Sequence, residues 1–219
     1  MLKMDSHIHS EYSHDSSSKI DDILKVANDR NIDVIAISDH NTVDGTSEVL
    51  AKTRNTDILA IPSIEISSAQ GHILGFGCEE KIPRDLTPEE TIDKIHDLGG
   101  LAIIPHPYCF YRNGLLCKKE YDDLKIDAIE TKNARFIVGY CNGKAKNLSK
   151  KENIPELGAS DAHYWKFVGD CYSMVDAEKD IDSVLKSIKK GKTKSCGKGT
   201  SNVLLSKYLF ERKILKKFD

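Results

Sequence analysis

The chain has 219 residues and a formal net charge of −2, and 39% of its residues are apolar and 30% are charged. This balance is typical of a soluble globular protein and argues against a disordered chain. No run approaches the roughly 18 to 20 apolar residues of a membrane span, and no signal-peptide segment opens the chain, so we expect a cytoplasmic protein without a membrane partner.

Short apolar runs alternate along the chain with helical patterns. The runs predicted as strands are residues 34–37, 58–61, 73–76, 101–104, 128–129 and 171–175. Several of them are apolar on both faces, as strands are when helices cover one side and a packed interior covers the other. The alternation predicts a parallel α/β fold. Because no linker or repeat interrupts it, we expect a single domain over residues 1–219.

Three helices have recognisable signals. Ser18 precedes one apolar helical face, and residues 181–188 form another. Between them, Thr87 and Glu90 have the spacing of a capping box, which predicts the start of a helix. We expect that helix to end at Gly99, because glycine commonly terminates helices.

Charge is distributed unevenly along the chain. Residues 184–219 carry a net charge of +9, and the rest of the chain carries −11. A basic helix at about residues 200–217 could simply be solvated and balance the acidic body, or it could bind a polyanion such as nucleic acid. The sequence leaves both interpretations open, together with the oligomeric state.

Polar side chains directly follow several of the predicted strands. They are His7, His9, His40, Glu65, His106, Asp161 and His163. The carboxyl ends of the strands in a parallel α/β barrel share one face, and that face holds the active site. We therefore expect these residues to converge although they lie far apart in sequence.

The residue types at these positions are those of a metal site. His7 and His9 are two residues apart, so both side chains point to one side of a strand and can bind one ion. Imidazole suits zinc, iron and manganese, and Glu65 and Asp161 add oxygen ligands. Up to six histidines and three acids are available as ligands. One ion needs fewer than this, so two or three ions are implied. His96 lies on the helix that is predicted to begin at Thr87, and we interpret it as structural.

The sequence resembles the PHP (polymerase and histidinol phosphatase) domain family over about residues 2–175. Its four signature motifs are read as Asp5-Ser6-His7-Ile8-His9-Ser10, Ile37-Ser38-Asp39-His40, Ile61-Pro62-Ser63-Ile64-Glu65-Ile66 and Gly158-Ala159-Ser160-Asp161-Ala162-His163. Two further family-like segments are Gly71-His72-Ile73-Leu74-Gly75 and Ile104-Pro105-His106-Pro107.

The resemblance implies a distorted (β/α)7 TIM-like barrel with a metal cluster at the carboxyl ends of the strands. It assigns the ligands as follows: His7, His9, Glu65 and Asp161 to a first ion, Glu65, His72 and His106 to a second, and Asp15, His40 and His163 to a third. The ions would be zinc, manganese or iron. The family's usual Asp-Gly appears here as His14-Asp15-Ser16, so either His14 or Asp15 could be the ligand, and we favour Asp15.

The function implied by the resemblance is metal-dependent hydrolysis of a phosphomonoester, such as a small phosphorylated metabolite or nucleotide. A water bridging the first two ions, deprotonated to hydroxide, would attack phosphorus, with Glu65, Asp161 and His163 as catalytic residues. Arg112, Lys132 and Arg135 are candidates for binding the phosphate, with Tyr108 and Asn133 beside them. Glu130 could orient a ligand or bind substrate.

Two other functions compete with this one. A 5′–3′ exonuclease acting on RNA or DNA oligonucleotides also fits, because the basic C-terminal segment could guide a polyanion. A non-catalytic PHP interaction module is disfavoured, because every ligand position has a suitable donor. The 40 residues between the third motif and His106 hold no large insertion, so we expect an open mouth.

Overall fold

The computed structural model describes residues 1–121, 124–135, 140–201, 205, 206 and 208. Its strands are β1 (Leu2–Ile8), β2 (Val34–Ile37), β3 (Leu59–Ser67), β4 (His72–Phe76), β5 (Leu101–Ile104), β6 (Ala128–Asn133), β7 (Glu156–Ala159), β8 (Cys171–Val175) and β9 (Thr193–Gly197). Its helices are α1 (Ile20–Asp29), α2 (Asp44–Thr53), α3 (Pro88–Asp97), α4 (Tyr140–Glu152) and α5 (Ile181–Lys189). Most of the basic helix predicted at about residues 200–217 lies outside the described residues.

The strands form one mixed sheet in the order β7-β6-β5-β4-β3-β2-β1-β8-β9. The sheet curls so that the end of β1 meets the segment that follows β7. Ile8 at the end of β1 bridges Ala162 just beyond β7, and the amide of His9 donates to the carbonyl of Ala162 at 2.9 Å. The predicted distorted α/β barrel is thereby confirmed.

Two strands depart from the expected parallel pairing. β4 runs antiparallel to β3 and β5, and β8 runs antiparallel to β1 and β9. In the hairpin of β3 and β4, Ser67 pairs with His72, so the start of β4 lies beside the end of β3. His72 consequently reaches the same end of the barrel as residues that follow the parallel strands.

Alternate strand residues fill the interior of the barrel. One buried cluster draws on every strand from β1 to β8; it includes Met4, Val34, Ile61, Leu74, Ile103, Ala128, Leu157 and Val175. Val184 and Ile188 of α5 pack on the same cluster, so this helix covers part of the interior. The side chains of opposite parity pack outward against α1 and α3.

A buried carboxylate links β1 to the far edge of the barrel. Asp5 accepts hydrogen bonds from the backbone amides of Ser160, at 3.0 Å, and Gly169, at 2.7 Å. Burial raises the pKa of Asp5 to about 6 despite these bonds. The first acid of the first motif therefore helps to close the barrel rather than facing the mouth.

The predicted capping box forms at the start of α3, whereas α1 starts without a side-chain cap. The hydroxyl of Thr87 accepts from the amide of Glu90 at 3.2 Å, and the Glu90 carboxylate accepts from the amide of Thr87 at 2.9 Å, which confirms the capping box. By contrast, α1 begins with Lys19 in the cap position and has no side-chain cap, so Ser18 does not fill that role.

None of the helices in the described part of the chain is long and apolar enough to cross a bilayer.

Candidate metal centre

A cavity of about 530 Å³ opens at the end of the barrel where the parallel strands finish. All nine residues predicted as ligands line this cavity or lie directly beneath it. They are His7, His9, Asp15, His40, Glu65, His72, His106, Asp161 and His163. The expected convergence of these side chains is therefore found, although they come from six strands and the loops that follow them.

His7 of β1 and His9, directly after this strand, form the floor of the site. His7 and His9 are fully buried, and their Nε2 atoms lie 2.9 Å apart. The other ring nitrogen of each has its own partner: Nδ1 of His7 lies 2.8 Å from Glu130 Oε1, and Nδ1 of His9 lies 2.9 Å from Ser13 Oγ. These contacts turn both Nε2 atoms toward the centre of the site.

Glu65, near the end of β3, occupies the centre. Its Oε1 atom lies 2.8 Å from His72 Nδ1 and 3.0 Å from His106 Nε2. Its Oε2 atom lies 3.1 Å from Nε2 of His9 and 3.3 Å from Nδ1 of His40. Burial favours the neutral acid, but the surrounding imidazoles outweigh it and hold the pKa of Glu65 well below its usual range. An ionised carboxylate with a different set of imidazoles on each oxygen is suited to bridging two ions.

A second group of ligand atoms lies on the other side of the floor. Asp15 Oδ2 is 2.9 Å from His163 Nε2 and 3.7 Å from His40 Nε2. The alternative ligand, His14, has an exposed side chain, and its ring centre lies 5.2 Å from that of His40. His14 belongs to none of the groups of clustered ligand atoms in the described part of the chain. The geometry thus favours Asp15 over His14.

The ligand atoms cluster in four groups, which do not correspond one to one with the three predicted ions. Four groups of atoms lie within 4.8 Å of one another: His9, Asp15, His40 and His163; His7, Glu65 and His106; His7, His9 and Asp161; and His40, Glu65 and His72. His9 joins the group of Asp15, and His40 joins that of Glu65, so both histidines stand between neighbouring groups. The assignment of each ligand to a particular ion stays a prediction.

The residues present fit divalent ions. An ion with ligand bonds of about 2.1 Å holds neighbouring ligand atoms roughly 3.0 to 3.4 Å apart, and Glu65 Oε2 lies 3.1 to 3.3 Å from ring nitrogens of His7, His9 and His40. Two buried polar atoms, Nδ1 of His106 and Oδ1 of Asp15, have no hydrogen-bond partner among the described residues. Mixed nitrogen and oxygen ligands suit zinc, manganese or iron.

The protonation of two of the imidazoles also suits metal binding. Burial and the neighbouring Arg112 lower the pKa of His106 to about 3, and burial and Arg135 lower the pKa of His163 to about 3. Both rings are therefore neutral near pH 7, which is the form that binds an ion. His7 differs, because the carboxylates of Glu130 and Glu65 outweigh its burial and raise its pKa to about 9.

Two of the candidate ligands sit in an uncommon backbone conformation. His106 has a φ of 30° and Asp161 a φ of 51°. A non-glycine residue in this left-handed region costs of order 1–3 kcal/mol and occurs disproportionately at functional sites. Each follows the end of a strand by two residues, and the left-handed turn redirects the chain there. The amide of His106 donates to Glu130 Oε2 at 2.9 Å, which holds this conformation.

Arginines surround the acidic centre. The Arg112 guanidinium contacts the Asp161 carboxylate and donates to Asn133 Oδ1 at 3.1 Å. Nη1 of Arg135 lies 3.2 Å from Asp161 Oδ1. Both were predicted to bind phosphate, and both line the cavity. Arg84 lines the cavity as well. The sequence pattern does not predict this, because Arg84 lies in the loop after the antiparallel strand β4 and does not directly follow a predicted strand.

Lys132 is not in the cavity, and the expectation that it faces the substrate is corrected. Its ammonium donates to the carbonyl of Gly197 on β9 at 3.1 Å. The pairing of β6 with β7 shifts register between Glu130 and Lys132, which breaks the simple alternation of side chains. Tyr108 also does not line the cavity; its ring lies under the ammonium of Lys144, 4.1 Å from the ring centre.

Glu130 and Asn133 lie behind the proposed ligands. The amide nitrogen of Asn133 donates to Glu130 Oε2 at 2.8 Å and to Asp161 Oδ2 at 3.0 Å. Glu130 is fully buried and contacts His7 through its other oxygen. Of the two roles considered for Glu130, the geometry favours orienting a ligand over binding substrate.

Family models match most of the chain. The model described as the PHP domain matches residues 5–125, and one described as PHP-associated matches residues 139–193. The chain belongs to the PHP domain family. The resemblance drawn from the motifs is thereby confirmed. Membership of this family implies divalent metal binding, and the clustered histidines and acids are the candidate ligands.

Similar proteins include two from Methanocaldococcus jannaschii, both described as uncharacterized. MJ1587 is 39% identical over 178 residues, which is 75% of this chain and 99% of that protein. MJ0417 is 31% identical over 214 residues, which is 93% of this chain and 85% of that protein. The descriptions of these relatives name neither a family nor an activity.

Two solved structures share the fold. A two-domain protein from Bacteroides vulgatus, containing a predicted PHP-like metal-dependent phosphoesterase, superposes with a TM-score of 0.76 at 17% identity. That match covers 90% of this PHP chain and 65% of the two-domain chain. PsfC from Pseudomonas syringae superposes with a TM-score of 0.69 at 17% identity and 98% coverage of both chains. At these identities the likeness concerns the fold alone.

Proposed function

We propose that this PHP protein is a metal-dependent phosphoesterase that hydrolyses a phosphomonoester. The observation that carries the proposal is the arrangement around Glu65, where buried imidazoles and carboxylates converge beneath a cavity lined by arginines. Metal ligands at the base of a cavity and guanidinium groups at its wall match the two needs of phosphoryl chemistry, which are an activated water and compensation of phosphate charge.

The nine residues described above would hold two or three divalent ions, which would be zinc, manganese or iron. When bound, such ions lower the pKa of a bound water toward neutrality and stabilise the negative charge of the phosphoryl group. Glu65, Asp161 and His163 would act in catalysis through this ligation. Asn133 holds Asp161 in place by its bond of 3.0 Å.

Arg112 and Arg135 would bind the oxygens of the phosphate. Both guanidinium groups already contact the Asp161 carboxylate, so they lie where an anionic group would enter the site. Arginine binds phosphate through parallel charge-assisted hydrogen bonds. In the reaction, the oxygen of water bonds to phosphorus, the ester P–O bond breaks, and the leaving alcohol oxygen takes up the proton released by the water. No side chain has to serve as a nucleophile.

Substitution of single proposed ligands tests this function. The wild-type protein, His9→Ala and Asp161→Ala would be stripped with a chelator and reloaded with Mn²⁺ or Zn²⁺. Metal content would be measured by plasma mass spectrometry, and phosphate release would be measured from a panel of phosphomonoesters. We expect both variants to lose metal and to lose turnover by roughly 100-fold or more, because several kcal/mol of transition-state stabilisation depend on the ions.

His96→Ala is the matched control. His96 lies on α3, where its Nε2 atom is 2.8 Å from Asp127 Oδ2, and it is outside the metal centre. This variant should keep its metal and its turnover. The proposal is wrong if His9→Ala and Asp161→Ala keep full metal content and full phosphatase turnover.

The two competing functions are tested by the same panel. A 5′-phosphorylated oligonucleotide tests the exonuclease, whose proposed guide is the basic segment that lies mostly outside the described residues. A metal-loaded protein that hydrolyses no phosphoester would instead favour the interaction module. Nucleic acid as a partner and a cytoplasmic location stay predictions.

A further inference from the structure

Two adjacent residues carry exposed aromatic rings, and the second of them, Tyr111, lines the cavity. Phe110 and Tyr111, in the short 3-10 turn Phe110–Arg112, are 72% and 94% exposed. Their ring centres lie 6.0 Å apart in an edge-to-face arrangement, and Tyr111 lines the cavity that holds the proposed metal ligands. Single exposed apolar residues are ordinary on protein surfaces, but an adjacent pair at the mouth of a site is typical of a binding surface.

The backbone that carries these rings is firmly anchored. The carbonyl of Asn113 accepts from the amide of His72 at 2.9 Å, and the amide of Gly114 donates to the carbonyl of Cys109 at 2.9 Å. Directly afterwards, Leu115 and Leu116 are buried in the hydrophobic core. The two rings are therefore held toward solvent by a fixed turn.

The anchor also fixes the distance between this turn and the metal centre. A Cβ atom on Gly71 would lie 2.5 Å from the Cα atom of Leu115 and 2.7 Å from the carbonyl oxygen of Asn113. The turn can approach the β3–β4 hairpin this closely only because residue 71 is glycine. Since His72 follows in that hairpin, the rings and a proposed ligand share one rigid support.

The third residue of the turn points the other way. While Tyr111 lies at the rim, the Arg112 guanidinium reaches inward to Asp161 and Asn133. Arg84 and Arg135 add two further cations at the cavity wall. The matching ligand carries an anion at one end and a flat apolar ring at the other.

We propose that Phe110 and Tyr111 form a stacking surface for the base of a nucleoside 5′-phosphate, so that the substrates of this site are nucleotides. The inference rests on the proposed phosphoesterase function and narrows its substrate class. Bases stack on aromatic side chains whatever their identity, because every base has a π face. Sugar phosphates and alkyl phosphates have no such face. The nucleotide could be free or stand at the 5′ end of a single strand, since both present the same base, ribose and phosphate.

The test compares two substrates that differ only in the base. AMP and ribose 5-phosphate carry the same phosphate ester on the same sugar carbon, so the ratio of their kcat/KM values reports the contribution of the base. For the Mn²⁺-loaded wild-type protein we expect a ratio of at least about ten. In the double variant Phe110→Ala, Tyr111→Ala the ratio should fall to about one, whereas Tyr111→Phe should keep it because the ring remains.

Tyr140→Ala is the matched control for the loss of an exposed aromatic side chain. Tyr140 is 75% exposed and does not line the cavity, so its substitution should leave the ratio unchanged. A 5′-phosphorylated trinucleotide separates the two sources of the base: a kcat/KM above that of AMP indicates a strand end, and one below it indicates the free nucleotide.

A binding measurement keeps this inference separate from the proposed function. Calorimetry with the non-hydrolysable phosphonate analogues of AMP and ribose 5-phosphate should show about tenfold tighter binding of the former in the wild type and equal binding in the double variant. If no phosphoester is hydrolysed, the proposed function fails and this binding difference still decides the inference. A wild-type ratio near one, or a ratio that survives in the double variant, overturns the stacking surface.

Discussion

Nδ1 of His7 lies 2.8 Å from Oε1 of Glu130, and both side chains are fully buried. Because a carboxylate only accepts, Nδ1 carries a proton, and Nε2, which faces Glu65 and His9, is the nitrogen left to bind an ion once the ring is neutral. The second oxygen of Glu130 accepts from the amide of His106 at 2.9 Å. One buried acid thus orients two proposed ligands without being grouped with the clustered ligand atoms itself.

Replacing this acid should weaken metal binding without removing a ligand. We expect Glu130→Gln to lower metal affinity by about 10- to 100-fold, because the partner of the His7 ring loses its charge. Titration with Zn²⁺ against a competing chelator measures the affinity. Glu156→Gln is the control, since Glu156 binds Lys146 at 2.8 Å at the opposite end of the barrel. Unchanged affinity in Glu130→Gln would show that the orientation of His7 is set elsewhere.

The adjacent residues His14 and Asp15 should respond differently to substitution. Asp15 Oδ2 lies 2.9 Å from His163, whereas the His14 side chain is exposed. We therefore expect Asp15→Asn to lower metal content by about one ion per chain and to slow phosphate release, because an amide is a poor substitute for a carboxylate ligand. His14→Ala should keep its metal content. The reverse pattern, read by plasma mass spectrometry, would assign the ligand to His14.

Lys132 and Arg135 both follow Glu130 in sequence, and comparing them tests the proposed phosphate contact of Arg135. Arg135 lines the cavity, but the ammonium of Lys132 is held by the carbonyl of Gly197. We expect Arg135→Ala to raise KM for a phosphomonoester roughly tenfold or more, since a charge-assisted hydrogen bond to the phosphate is lost. Lys132→Ala should leave KM nearly unchanged in steady-state kinetics. Equal effects of the two substitutions would argue against a specific phosphate contact by Arg135.

Two glycines should give opposite results when each is replaced by alanine. Gly71 packs against the backbone of Leu115, whereas a Cβ atom on Gly143 of α4 would meet nothing within 4 Å. Gly71→Ala should lower the free energy of unfolding by roughly 1–3 kcal/mol, because the cavity-rim turn must shift. Gly143→Ala should raise it by about 0.5–1 kcal/mol through its higher helix propensity. Urea denaturation measures both, and a neutral Gly71→Ala would mean that the turn is not tightly anchored.

Local signals in the sequence were sufficient to predict the features that depend only on residues close together in the chain. The capping box at Thr87 and the position of His7 and His9 on one face of a strand follow from spacings of two or three residues. The motif pattern also predicted the family, the barrel and the set of side chains that converge. These features need no knowledge of which distant segments pair.

Pairing and backbone geometry between distant segments were decided only in the folded chain. The antiparallel course of β4 carries His72 to the mouth, and the register shift in β6 accompanies the turn of Lys132 away from it. Spacing along the chain encodes neither effect, since each depends on which strands pair and in what register. The pattern of residues along the chain therefore indicates which side chains could hold metal, whereas the folded structure sets which of their neighbours face the cavity.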